Sequence, residues 1–187
     1  MTRQQLEHLL RAAARIAGAE DLLVIGSQSI LGSFPHSALP AAATGSLEAD
    51  IALFDDPDET RTDLIDGSLG EGSPFHAEFG VYAQGVGLRT AVLPDGWQSR
   101  LVVFATAGTR PGRGLCLERH DCVLSKIVAG REKDYAFANA LVDAGLLDMD
   151  ILSERIELLP VERMQKASIR RWLDGASRRT DARKKAP

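Results

Sequence analysis

Two carboxylates one residue apart, Glu48 and Asp50, sit inside the run Leu47-Glu48-Ala49-Asp50-Ile51. Side chains of a strand alternate between faces, so both acids project from the same one. Side by side they repel unless a cation lies between them, and hard oxygen ligands favour Mg²⁺. The plainer reading of such a pair is two solvated acids on an edge strand. Upstream, Leu22-Leu23-Val24-Ile25 runs into Gly26-Ser27. Gly26 lets backbone approach a bound group closely. Ser27 is placed to cap a following helix whose free N–H groups would face an anion. An ordinary strand-to-helix turn uses the same pair of residues. No Gly-Lys-Ser follows, so this is not a P-loop. Taken together, the acids and the Gly-Ser pair point to a metal–triphosphate site.

Gly26-Ser27 followed by Ser46-x-Glu48-x-Asp50 resembles the signature of the polymerase-β-like nucleotidyltransferase superfamily. A second stretch, Ser125-Lys126-Ile127-Val128-Ala129-Gly130-Arg131-Glu132-Lys133-Asp134, resembles the Lys…Arg-x-x-Asp helix segment of its abortive-infection toxin branch. The run from Gly80-Val81-Tyr82-Ala83-Gln84-Gly85-Val86 to Leu93-Pro94-Asp95-Gly96-Trp97 is similar to a bacterial group within that branch. The resemblance implies transfer of an NMP from an NTP to an RNA or protein acceptor, with a cognate antitoxin as partner. It implies Mg²⁺, or Mn²⁺ in its place, on Glu48 and Asp50. It puts phosphate contacts on Gly26, Ser27, Lys126 and Arg131, and catalytic roles on Glu48, Asp50, Lys126 and Asp134. Members often carry Asp at both acidic positions, and Glu48 is longer by one methylene. Many add a third carboxylate on a later strand. Here residues 88–93 and 100–104 hold no acid, and Glu78 is the one strand candidate.

A Lys ammonium neutralises phosphate as a point charge, which suits Lys126. Arg131 and Lys133 put positive charge at a helix start, where the dipole disfavours it, and that hints at a further role. A solvated surface turn is the alternative. His76, His120 and Asp121 read as structural or helix-start residues, and Trp97 as a turn anchor. Nothing matches a Ser-His-Asp triad or a zinc cluster.

The elements that must hold these residues follow from periodicity and breakers. Leu6, Leu9, Leu10, Ala13 and Ile16 predict a helix over 3–17, closed by Gly18. Residues 22–25 and 47–54 read as strands, 28–31 as the start of a helix, and 36–45 as a loop. A short helix to residue 66 precedes a flexible loop over 67–74. Strands are expected at 78–82, 88–93 and 100–104, the last two joined through Pro94-Asp95-Gly96-Trp97. After a loop at 108–114 the pattern is helical: 117–128, 131–144, 148–158 and 161–176. The expected class is α+β. A nucleotidyltransferase-like mixed sheet flanked by helices fills 1–110, a C-terminal helical bundle fills 111–177, and a basic, flexible tail fills 178–187.

Hydrophobic residues make up 44% of the 187, enough for a sizeable core and too many for a disordered chain. The net charge of −4, with basic residues gathered in the tail, argues against a broad nucleic-acid face. No apolar signal core follows Met1, and no run suits a membrane helix, so the expected location is the cytoplasm. There the two cysteines, Cys116 and Cys122, are expected reduced and at least partly buried. Two other classes stay open: a catalytically impaired module that binds a nucleotide or partner, and a structural, antitoxin-like protein.

Overall fold

A computed structural model describes residues 1–184. The Thr2 hydroxyl accepts from Gln5 N, and the Gln5 side chain accepts from Thr2 N. This reciprocal cap starts α1 (Arg3–Ala17), which ends on Gly18 in the left-handed region. Its inner stripe, Leu6, Leu9, Leu10 and Ala13, is fully buried. Each such leucine contributes roughly 1.5–3 kcal/mol through burial.

The chain continues through β1 (Asp21–Val24), a 3₁₀ turn (Ser27–Ser29), α2 (Ile30–Ser33), α3 (Ala41–Thr44) and β2 (Glu48–Ala52). Then come α4 (Thr60–Leu69), α5 (Pro74–Phe79), β3 (Tyr82–Gly85), β4 (Val102–Phe104) and β5 (Arg113–Cys116). Four helices follow: α6 (Arg119–Ala129), α7 (Glu132–Asp143), α8 (Met149–Glu157) and α9 (Arg163–Lys184). The sheet order is β3-β2-β1-β5-β4. β1 runs antiparallel to β2 and parallel to β5, so the sheet is mixed and the fold is α+β. α1 packs on β1, β5 and α4; α6 to α9 pack on one another and reach the sheet through α2, α3 and the Ser27–Ser29 turn.

Several expectations need correction. The strand expected at 78–82 begins only at its last residue, Tyr82, and residues 78–81 are not strand. Ser73 accepts from His76 N, Pro74 opens α5, and Gly80 closes it at φ 67°. That Ser-Pro…Gly frame is a helix frame, and it draws Glu78 off the sheet. Residues 88–93 form only a 3₁₀ turn (Leu88–Thr90) and irregular chain. The reason is topological. β3 and β4 lie at opposite edges, so the connection must cross the sheet rather than pair with it. Pro94-Asp95-Gly96 accordingly leads into a second 3₁₀ turn (Trp97–Arg100), not a hairpin. β5 was hidden in what reads as a Gly/Pro loop followed only by helices. A Cβ on Gly114 would stand 3.0 Å from Leu10 Cδ1, so glycine there lets the strand pass under α1. Residues 36–45 fold into a 3₁₀ turn (His36–Ala38) and the single turn α3.

The helix expected to stop near Ala176 runs on to Lys184. Arg179 donates to Asn139 Oδ1 at 2.6 Å and ties this extension to α7, so the helix takes in the first residues of the expected tail. The rest of the expected tail, residues 185–187, lies outside the described residues. Both cysteines are free and buried, and burial pushes the Cys116 thiol up to about 12. No described helix is long and apolar enough to cross a membrane.

A charged knot fixes the start of α6. Glu118 accepts from His120 N at 3.0 Å and meets His120 Nδ1 at 2.8 Å. His120 Nε2 accepts from Asp148 N at 2.9 Å, which leaves the proton on Nδ1, pointed at Glu118. Arg155 pairs with Glu118 and, at 3.0 Å, with Asp121; Arg100 Nε reaches Asp121 Oδ2 at 2.8 Å. These pairs bind α6 to α8 and to the crossing segment before β4.

Candidate active site

Along β2 burial alternates: Ala49 and Ile51 enter the core, while Glu48 and Asp50 are half-buried on the other face. That face borders a cleft of about 670 Å³. The period of two therefore places both acids together at one wall. Ile25 N donates to Asp50 O at 3.1 Å, which sets Gly26 directly beside the Asp50 side chain. A Cβ on residue 26 would fall 1.6 Å from Asp50 Oδ2, so only glycine fits under that carboxylate.

Ser27 is not a helix cap. It begins the 3₁₀ turn, whose cap residue is Gly26, and its hydroxyl accepts from Gln28 Nε2 at 3.4 Å. The expected helix is one 3₁₀ turn and one α turn. Such a short stack has little macrodipole, so the turn offers a hydroxyl and local N–H groups instead.

The opposite wall is the corner between α6 and α7, turned at Gly130 with φ 71°. Lys126, Arg131, Lys133 and Asp134 all line the cleft there, as Gly26, Ser27, Glu48 and Asp50 do across from them. Every residue singled out as catalytic, phosphate-binding or metal-ligating in the sequence thus borders one cavity. Asp134 lies 3.7 Å from Lys126 Nζ through Oδ1 and 2.6 Å from Arg131 Nε through Oδ2. Burial alone would raise the Asp134 carboxyl, yet the hydrogen bond from Arg131 and the charge of Lys126 hold it below its ordinary value. Glu48 is pushed the other way. Burial raises it first and the neighbouring Asp50 charge next, against weaker pulls from Lys133 and the Tyr82 hydroxyl, 3.4 Å from Oε2.

Strand register adds residues that composition does not single out. β3 pairs parallel with β2, setting Tyr82 across from Glu48 and Gln84 across from Asp50. Gln84 lines the cleft beside Asp50. Glu78, the strand acid expected from the sequence, sits on α5 instead. Among the described residues no cluster of three or more His, Cys, Asp or Glu could hold a metal. Two carboxylates on one face still suit Mg²⁺, which keeps waters and takes substrate phosphate oxygens alongside one or two acids. His76 stands behind Tyr82, ring centroids 4.8 Å apart, with Nδ1 accepting from Gly72 N. Trp97 stacks on Phe54 at 6.1 Å, as a turn anchor would.

The model of a family described as "Nucleotidyltransferase of unknown function (DUF6036)" matches residues 4–173. The chain belongs to this family. The match takes in the whole cleft, from Ile25 to Phe137, and the helices that brace it. No curated protein and no solved structure matches the chain.

Proposed function

We propose that this nucleotidyltransferase moves an NMP from an NTP to an RNA or protein acceptor in a Mg²⁺-dependent reaction that releases pyrophosphate. One observation carries the reading: Glu48 and Asp50 share a face of β2 and open onto a cleft whose far wall presents Lys126. Glu48 and Asp50 are the residues that would hold Mg²⁺ or Mn²⁺. The ion would supply charge neutralisation at the phosphates. The close backbone at Gly26 and the Ser27 hydroxyl hold the β and γ phosphates, and the Lys126 ammonium balances their charge. The acceptor hydroxyl then attacks the α phosphorus and gives its proton to water in the open cleft, the new P–O bond forms, and pyrophosphate leaves with the electron pair of the broken bond. The likeness of residues 125–134 to the toxin branch extends the proposal to a toxin–antitoxin pair, with the antitoxin as a second chain.

Gln84 favours a second reading. An amide cannot take the proton of an attacking hydroxyl, so a module that binds nucleotide without turnover fits the same cleft.

Incubation with labelled NTPs, Mg²⁺ and cellular RNA or protein tests the choice. Label transfer by the wild type, reduced at least about a hundredfold by Asp50→Ala, is the expected result. No transfer by the wild type, or equal transfer by the variant, overturns it. Nucleotide binding without transfer selects the second reading.

A further inference from the structure

The cations of the cleft are not equivalent. Arg131 Nε and Nη2 reach Asp134 Oδ2 and Oδ1 at 2.6 and 3.2 Å, and Arg131 N donates to Oδ2 at 3.3 Å. Such a fork-on-carboxylate pair is fixed in direction as well as distance. Asp134 is only 2% exposed, and the hydrogen bonds its oxygens accept there come from Arg131. Lys126 is held differently. Its Nζ stands 3.7 Å from Oδ1, outside hydrogen-bond reach. An ammonium on a flexible stem can leave that position for a phosphate without breaking a hydrogen bond. Position in the fold supports the distinction. Arg131 is the cap residue of α7 and Asp134 its third residue; the donations from Arg131 N and its guanidinium to the Asp134 carboxylate, with Asp134 N donating to Arg131 O, close the first turn. Lys126 belongs to α6, across the Gly130 corner.

We propose that Asp134 is a positioning residue that fastens Arg131 as the cap of α7 and leaves Lys126, of these two cations, to meet the triphosphate. The inference rests on the nucleotide-transfer reading of the cleft, and it takes Arg131 out of phosphate binding and Asp134 out of the chemical step. Asp134 spans the α6–α7 corner, so it sets where Lys126 waits. A carboxylate held below its ordinary range and enclosed by two cations is also a weak base.

The test uses the whole chain and four variants: Lys126→Gln, Arg131→Gln, Asp134→Asn and the Arg131→Gln/Asp134→Asn double. Binding is read by calorimetry with Mg²⁺ and inorganic tripolyphosphate, stability by thermal melting. Lys126→Gln should weaken binding about tenfold or more with little change in melting temperature. Arg131→Gln should weaken it less than about threefold but lower the melting temperature by several degrees. Asp134→Asn should melt like Arg131→Gln, and the double variant no lower than the worse single, because all three break one interaction. In the transfer assay Asp134→Asn should raise KM more than it lowers kcat. The clamp is overturned if the two melting effects add. It is equally overturned if Arg131→Gln weakens binding as much as Lys126→Gln, or if Asp134→Asn keeps wild-type melting and KM while kcat collapses. Failure of the wild type to bind tripolyphosphate overturns the nucleotide reading and the role of Lys126 with it, while the melting cycle still decides the clamp.

Discussion

Helix α6 borders a charge cluster at each end, and the two are built on opposite terms. At its start, Glu118 and Asp121 are matched by Arg155, Arg100 and His120, at distances that leave the carboxylates few free lone pairs. At its end, across the cleft, Glu48 and Asp50 lie side by side with no ion pair among the described residues. The matched cluster holds Glu118 at about 2, whereas Glu48 is raised. One region uses charge to join helices. The other keeps two like charges adjacent at some cost to the fold, which is the arrangement expected where a cation is to be received.

Substitutions can break or sharpen this contrast. The largest effect belongs to the matched end. Arg155→Ala leaves the buried Asp121 and the part-buried Glu118 without their shared partner and should cost about 3–4 kcal/mol in urea unfolding. A cost under about 1 kcal/mol would show that the knot is not what braces α6. Next is a pH dependence. Burial would raise Glu118, but the hydrogen bonds from His120 and Arg155 and the Arg155 charge win and hold it at about 2. The unfolded chain, with an ordinary value of about 4.3, takes up the proton first as pH falls. Stability from this group is therefore fully present above that value and lost progressively down to about pH 2. Glu118→Gln should be less stable at neutral pH and should show a shallower acid loss of the urea midpoint. An identical acid profile in wild type and variant would refute the assignment. The smallest effect has the reverse sign. Glu48 is raised, so its ionised form opposes folding once pH exceeds the ordinary carboxylate value. Glu48→Gln should raise the unfolding free energy by about 0.5 kcal/mol at neutral pH while transfer is lost. A destabilised Glu48→Gln protein would erase the distinction between the two ends.

The acid pair was legible in the sequence because strand alternation is a local rule, and β2 obeys it at Ala49 and Ile51. α1 was legible for the same kind of reason, as were the starts of α6 to α8, where caps and closing glycines lie near the apolar stripe. What escaped depends on partners distant in the chain. Arg113-Gly114-Leu115-Cys116 has weak strand propensity and becomes a strand only by lying between β1 and β4. Residues 88–93 carry strand-like side chains but have no strand to meet. Gln84 and Tyr82 joined the site through β2–β3 register, which no spacing along the chain encodes. Ser27 misled because a Ser after Gly predicts a cap, and here it falls inside the turn.

The crossing segment has an outcome for how this molecule can change over time. Thr90, Ala91 and Val92 border the cavity, yet they belong to no strand ladder. Exchanging their side chains reshapes one bank of the cavity without disturbing the register that presents Glu48 and Asp50. On the proposed function, the acids and the adjustable contacts thus sit on separate parts of the architecture, so ligand preference is free to drift while the acid pair stays in place.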